Sequence, residues 1–226
     1  MSNSIVIEAT AEHTATIINF ILLFNFKLIF LHGLAETGKN WIEALKKIQL
    51  PNVKIICPTG PTIPITWKQG TPMTAWFDVL GMKTGAPEDE DGIKSSSKIV
   101  HKVIEDEIKS GTPSNRIIVG GFSQGGALAI YSAITFSQQL GGVFSLSSWL
   151  ALHQQFPENV VGNKTTPFLL CHGDKDPIIP HLWGQMAITL LKKTMTNVEF
   201  KTYAGLDHRA SDEEFLDVKR FIEQLL

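Results

Sequence analysis

Gly121-Phe122-Ser123-Gln124-Gly125 fits the pattern G-x-S-x-G, in which a serine hydroxyl stands at a sharp turn between a strand and a helix. A serine held this way can attack an acyl carbonyl, provided that a base takes its proton and a carboxylate holds that base in the right tautomer. The flanking residues suit such an elbow. The apolar run Arg116-Ile117-Ile118-Val119-Gly120 precedes it, and the small-residue run Gly126-Ala127-Leu128-Ala129-Ile130 follows. The turn strains the serine backbone, so the residues two before and two after must be small enough for strand and helix to approach, and glycine fills both positions. The competing reading is a glycine-rich turn with an inert serine, and the strand-turn-helix context argues against it.

In this class of elbow the partners follow in the order Ser, Asp or Glu, His. Chain order excludes His13, His32 and His101 and leaves His153, His172, His181 and His208. His172 follows a buried strand and reads as a structural turn residue, His181 opens a helical period, and His153 precedes a glutamine pair. His208 alone lies in the loop Ala204 to Ala210 after the last strand, so it is the expected base. The acid belongs in the loop after Phe168-Leu169-Leu170-Cys171, where Asp174 and Asp176 both occur. Chain order does not separate them; the pattern leans toward Asp176, one of the two can serve the turn, and Asp207 is a weaker third candidate. An oxyanion hole needs the backbone N–H after the nucleophile, that of Gln124, and another from an early loop. Leu31-His32-Gly33-Leu34 ends an apolar run, so Leu34 is the expected second donor, against the alternative of an ordinary strand-end turn.

These groups need a scaffold, and the chain alternates short β-branched runs with longer helical periods, which predicts a parallel sheet. Val53–Cys57, Arg116–Gly120, Val143–Leu146 and Phe168–Cys171 are apolar enough to be buried on both faces. Asn40 with Glu43 predicts a helix start, and Val100, Val103, Ile104 and Ile108 mark a buried helical face that stops at Gly111. Val198–Tyr203 alternates as a strand. Ser211 with Glu214 predicts a capped last helix carrying Phe215, Val218, Ile222 and Leu225.

The chain has 226 residues, 43% hydrophobic and 19% charged, which suits one globular domain with a sizeable core. A net charge of -2 argues against nucleic-acid binding. Cys57 and Cys171 sit in apolar runs without metal-ligand spacing and read as buried thiols of a reducing compartment. Met1-Ser2-Asn3-Ser4 matches neither a myristoylation signal nor the start of a secretory signal, so the expected location is cytoplasmic. No cofactor or metal is expected. Ile17 to Leu31 is a run of 15 residues broken only by Asn19, Asn25 and Lys27. A membrane-spanning helix needs about 20 apolar residues, so this run reads as a buried strand pair or core segment.

Several of these segments together carry a family resemblance. Leu31-His32-Gly33-Leu34, Trp76-Phe77-Asp78, Pro113 through Ala127, Leu146-Ser147-Ser148-Trp149-Leu150 and His172-Gly173-Asp174-Lys175-Asp176-Pro177 resemble, in this order, the acyl-protein thioesterase branch of the phospholipase/carboxylesterase family. The resemblance runs from about Phe30 to the C-terminus. It implies a single α/β-hydrolase domain over 1–226, a mostly parallel central sheet with helices on both faces, a triad of Ser123, Asp176 and His208, and oxyanion donors at Leu34 and Gln124. It also implies long-chain thioesters of S-acylated proteins as substrates, lysophospholipids and small esters as lesser ones, and transient contact with membrane surfaces. Trp76, Phe77, Leu80, Met82, Trp149, Leu150 and Leu152 lie in loop-like positions near the expected active face and are candidates for an acyl groove, each with plain core burial as the alternative. The chain departs from the family pattern at Asn19–Ile29, which reads as an apolar insertion in the first strand whose removal would join Thr14–Ile18 to Phe30, and at Arg209-Ala210, where the family has small hydroxylated residues. A small-ester carboxylesterase or lysophospholipase, and a catalytically silent lipid-binding protein, are the competing functions; oligomeric state is left open.

Overall fold

The computed structural model describes residues 5–7, 26–83 and 85–226. In chain order these contain β1 (Ile5–Ile7), β2 (Phe26–Leu31), a 3-10 turn (Gly38–Trp41), α1 (Ile42–Lys46), β3 (Val53–Cys57), the hairpin of β4 (Thr62–Ile65) and β5 (Thr71–Thr74), and α2 (Glu90–Lys109). Then follow β6 (Ile117–Phe122), α3 (Gln124–Thr135), β7 (Gly142–Leu146), β8 (Phe168–Gly173), α4 (His181–Leu191), β9 (Val198–Tyr203) and α5 (Asp212–Leu225). Among the described residues, seven strands form one sheet in the order β1-β3-β2-β6-β7-β8-β9. Only β1 runs antiparallel to its neighbour; the other pairings are parallel.

Parallel neighbours require crossovers, and the crossovers cover both faces of the sheet, which is why its inner strands are apolar without alternation. The period of two is still visible in which face each residue serves. In β2, Ile29 and Leu31 join a core with Val100 and Ile104 of α2, Leu128 and Ala129 of α3, and Ala187 and Leu191 of α4. Leu28 and Phe30 face the opposite core with Trp41, Leu45 of α1, and Phe215, Val218 and Ile222 of α5. The fold is the mostly parallel α/β sheet with helices on both faces that the alternation of segments predicts.

The expected insertion at 19–29 is corrected for its last four residues. Phe26, Lys27, Leu28 and Ile29 pair with Val53, Lys54, Ile55 and Ile56 of β3, and Lys27 through Leu31 pair with Ile117 through Gly121 of β6. They are the inner strand itself, apolar because both faces are buried. The one charge among them, Lys27, sits at the strand's start, 3.6 Å from Glu107 near the end of α2. Residues 19–25, and the Thr14–Ile18 stretch expected to join Phe30, lie outside the described residues. A second boundary also moves: the turn before α1 is set by Thr37, whose N–H and hydroxyl both lie 2.7 Å from Asn40 Oδ1, rather than by Asn40 with Glu43. The predicted cap of the last helix is present, with Glu214 N donating to Ser211 Oγ (3.1 Å) and Ser211 N to Glu214 Oε2 (2.9 Å). No helix of the described residues is long and apolar enough to cross a membrane.

Deleting Asn19–Ile29 removes four of the six residues of β2 and should leave a chain without a cooperative thermal transition. The milder Leu28→Ala should fold and lose about 2–5 kcal/mol. Circular-dichroism melts of both variants check this, and a deletion variant that melts as sharply as the full chain would show that 26–29 are replaceable.

Candidate active site

Ser123 stands between β6 and α3 with φ 52° and ψ −119°, a conformation that L-residues rarely adopt and that needs support from its surroundings. Three hydrogen bonds supply it: Ser123 N donates to Leu146 O (2.8 Å), while Ser123 O accepts from Ala127 N (3.0 Å) and from Ser148 Oγ (2.8 Å). The glycines of the elbow are there for want of space. A Cβ on Gly125 would stand 2.1 Å from Leu31 O, and one on Gly121 would stand 2.5 Å from the Gly125 backbone.

His208, from the loop between β9 and α5, reaches this serine. Its Nε2 lies 3.0 Å from Ser123 Oγ and its Nδ1 2.7 Å from Asp176 Oδ2. An ionised carboxylate only accepts, so Nδ1 carries the proton and Nε2 offers its lone pair to the serine hydroxyl. The other oxygen, Asp176 Oδ1, accepts from the N–H groups of Ile178 and Ile179, each at 2.8 Å. Burial works against the charge of Asp176, but hydrogen bonds from His172, His208 and the Ile179 N–H outweigh it and hold the carboxyl well below the ordinary carboxylate range. The other two candidate acids are occupied elsewhere. Asp174 accepts from Gly205 N at 2.7 Å and so shapes the turn, and Asp207 pairs with Arg209, whose Nη2 lies 2.7 Å from its Oδ2.

The two amides expected to receive an oxyanion, those of Leu34 and Gln124, belong to residues that border the same cavity as Ser123 and His208. In the Leu34 turn the neighbouring N–H groups are taken: Gly33 N by Glu36 Oε2 (2.8 Å), Ala35 N by Thr74 O (2.8 Å) and Glu36 N by Gly33 O (3.3 Å). Gln124 opens α3, where the first turn's N–H groups have no intrahelical acceptor. Its side chain is committed, accepting from Trp76 N (2.9 Å) and donating to Phe77 O (2.7 Å).

The cavity measures about 1000 Å³ and is walled by Phe77, Leu80, Met82, Trp149, Leu150 and Leu152, all named from the sequence. Trp183, Met186 and Leu190 of α4 complete the wall and were not anticipated, since their helical spacing looks like any amphipathic helix. Trp76 is corrected: it is buried away from the cavity, its indole N–H donating to His32 O at 2.8 Å. Three other described histidines are bound to the surrounding frame. His32 Nε2 accepts from Gly60 N (2.9 Å), so its Nδ1–H donates to Gly33 O (2.7 Å), and burial lowers its pKa. His181 Nε2 lies 2.9 Å from Thr202 Oγ1, and His153 Nδ1 lies 4.0 Å from Glu88. Glu88, another residue without a sequence signal, accepts from Trp149 Nε1 (2.9 Å) and Leu152 N (2.8 Å), pinning two cavity segments together. Among the described residues no cluster of His, Cys, Asp and Glu is arranged to hold a metal ion.

A serine on a strained strand-to-helix turn, a histidine between it and a carboxylate, and an apolar cavity suit acyl hydrolysis but do not say which family. The family model for Phospholipase/Carboxylesterase matches residues 5–226. This chain belongs to that family, and it is a hydrolase. Acyl-protein thioesterase 1 of Neurospora crassa is 39% identical to it over 234 residues, covering 98% of this chain and 91% of the relative. Its counterpart in Gibberella zeae is 38% identical, covering 98% and 95%. The crystal structure of Zea mays acyl-protein thioesterase 2 superposes with a TM-score of 0.85 at 30% identity, covering 100% of this chain and 99% of that one.

Glu214 beneath the His208 loop is fully buried, and its Oε1 has no hydrogen-bond partner among the described residues. Burial, with Asp176 and Glu213 adding to it, pushes its pKa from an ordinary 4.5 up to about 7 against the Ser211 bonds. The native state therefore holds this proton more tightly than the unfolded chain does. Stability from this group is full below pH 4.5 and is lost as pH rises toward 7. Glu214→Gln keeps an acceptor for Ser211 N and removes the titration. It should gain on the order of 2 kcal/mol over the parent at pH 8 and little at pH 4.5, read as a difference of roughly 5 °C in Tm that vanishes in acid. A constant difference across that range would show that Glu214 does not titrate there.

Proposed function

We propose that this protein removes long-chain fatty acyl groups from S-acylated proteins, with Ser123 as nucleophile, His208 as base and Asp176 as the acid that holds it. The observation that carries this reading is the hydrogen-bonded line Asp176–His208–Ser123 opening onto an apolar cavity, a size suited to an acyl chain. The names of the acyl-protein thioesterase relatives support thioesters over oxygen esters.

His208 Nε2 takes the hydroxyl proton as Ser123 Oγ attacks the thioester carbonyl, and Asp176 stabilises the imidazolium. The N–H groups of Leu34 and Gln124 receive the oxyanion of the tetrahedral intermediate. As the C–S bond breaks, the imidazolium returns its proton to the departing cysteine sulfur and leaves an ester on Ser123. Water then attacks that ester with His208 as base, the same oxyanion donors act again, and the fatty acid leaves with the serine restored. The acyl chain lies along Phe77, Leu80, Trp149 and Leu150, and the protein bearing the cysteine stays outside, which suits brief contact at a cytoplasmic membrane surface. Lysophospholipids meet the same requirements of an acyl chain and an accessible carbonyl and are minor substrates on this reading.

Ser123→Ala should fold normally and lose about 10⁶-fold in kcat on a long-chain acyl thioester, and it should no longer be labelled by a fluorophosphonate. Retained turnover in a folded variant would remove Ser123 from the mechanism; a parent enzyme that prefers short oxygen esters would make it a small-ester carboxylesterase instead.

Asp176→Asn should cost about 10⁴-fold in kcat because the histidine loses its tautomer, whereas Asp174→Asn, which keeps an acceptor for Gly205 N, should lose little. Steady-state kinetics of the two variants decides between the carboxylates, and a larger loss at Asp174 would reverse their roles.

A further inference from the structure

His172 takes no part in the steps above, yet it lies in β8 with only 1% of its surface exposed. Its Nε2 is 2.9 Å from Ile179 O and 3.4 Å from Asp176 Oδ2, the oxygen that also faces His208 Nδ1. Both neighbours of Nε2 only accept, so Nε2 carries a proton whatever the charge of the ring. Ile179 is bound at both ends of this arrangement: its carbonyl accepts from His172, and its N–H donates to Asp176 Oδ1 at 2.8 Å. The imidazole thus reaches the carboxylate twice, by the 3.4 Å contact of Nε2 with Oδ2 and through residue 179. It has no room to withdraw. A Cβ at Gly184 of α4 would stand 2.6 Å from its Nδ1, and the His181 ring stands nearly perpendicular to it at 5.6 Å.

We propose that His172 is a positioning residue for the Asp176–His208 pair, its Nε2–H occupying the last acceptor site of the carboxylate and thereby setting how strongly Asp176 holds His208. The inference rests on the reading of Ser123, His208 and Asp176 as the hydrolytic groups. A carboxylate that receives donors from Ile178, Ile179, His172 and His208 spreads its charge over all of them. Withdraw one donor from Oδ2, and the remaining charge falls on the His208 contact, so His208 holds a proton more tightly and becomes a free base only at higher pH. The other titratable groups facing this cluster are His181 on α4, Asp174 in the turn after β8, Asp207 in the His208 loop and Glu214 on α5, and the variants below leave all four in place.

The test compares His172→Phe, which keeps a ring but has no donor, with His172→Gln, whose amide N–H reaches about as far as Nε2. The readouts are kcat/KM on a chromogenic ester and the rate of fluorophosphonate labelling, each from pH 5 to 9. In His172→Phe the acid limb should move up by about half a pH unit or more, and the plateau should fall by about tenfold. His172→Gln should recover most of both. A folded His172→Phe with the parent's acid limb overturns the inference, because a purely structural role would lower the plateau and leave the limb where it was. Should His172→Phe not fold, ¹⁵N resonances of the parent's imidazoles decide: a protonated Nε2 on His172 is expected, and a neutral ring with its proton on Nδ1 overturns the proposal. A parent enzyme whose Ser123 does not react with the fluorophosphonate defeats the functional reading itself, whereas a reactive parent with unmoved variants defeats this inference alone.

Discussion

The carbonyl oxygen of Leu31 occupies the space that side chains would need at two positions of the neighbouring elbow, 2.1 Å from a Cβ on Gly125 and 2.7 Å from one on Gly121. Much of the site follows from that approach. With glycine at both places, the end of β6 and the start of α3 can lie against the end of β2, and the turn between them closes tightly enough to force Ser123 into its strained conformation. The same end of β2 runs on into Gly33 and Leu34, so the proposed nucleophile and one proposed oxyanion donor share a single backbone contact. This is also why Phe26–Ile29 cannot be surplus: they carry the ladder that holds Leu31 where it is.

Among the described residues, the polar groups around Asp176 and His32 are closely paired. Asp176 is surrounded by donors on both oxygens, which keeps it ionised despite burial. His32 is fixed as one tautomer by a donor on one side and an acceptor on the other, which ties the strand end of β2 to Gly60. Glu214 is the contrast. It spends one oxygen on the helix cap and leaves the other bare, and burial pushes its pKa up to about 7.

Gln124 links the two halves of the arrangement. Its main chain opens α3 beside the serine, while its side chain binds the backbone of Trp76 and Phe77 and so fixes one wall of the cavity. A substitution there would release the backbone of Trp76 and Phe77 and so disturb the shape of that wall. Glu88 does a similar job across the cavity, joining the segment before α2 to Trp149 and Leu152.

Local pattern was enough for whatever depends on neighbours in the chain. The buried strands announced themselves by unbroken apolar runs, the last helix by the Ser211 and Glu214 cap, and the elbow by glycines two residues either side of Ser123. Order along the chain, with the loop after the last strand, then made His208 the expected base and left Asp174 and Asp176 as candidate acids, with Asp207 a weaker third. The choice between Asp174 and Asp176 needed the resemblance or the fold, because both sit in one turn and differ only in which partner, Gly205 or His208, the tertiary structure brings to them. For the same reason Trp76 read as cavity wall while it is a buried strut, and His172 read as a turn residue while it lies near the end of β8 facing the carboxylate: what each side chain meets is set by contacts distant in the chain. The run before Leu31 misled most, since apolar density alone does not tell an insertion from a strand that is covered on both faces. That distinction exists only once β3 and β6 are in place on either side, with α2, α3 and α4 packed on one face and α1 and α5 on the other.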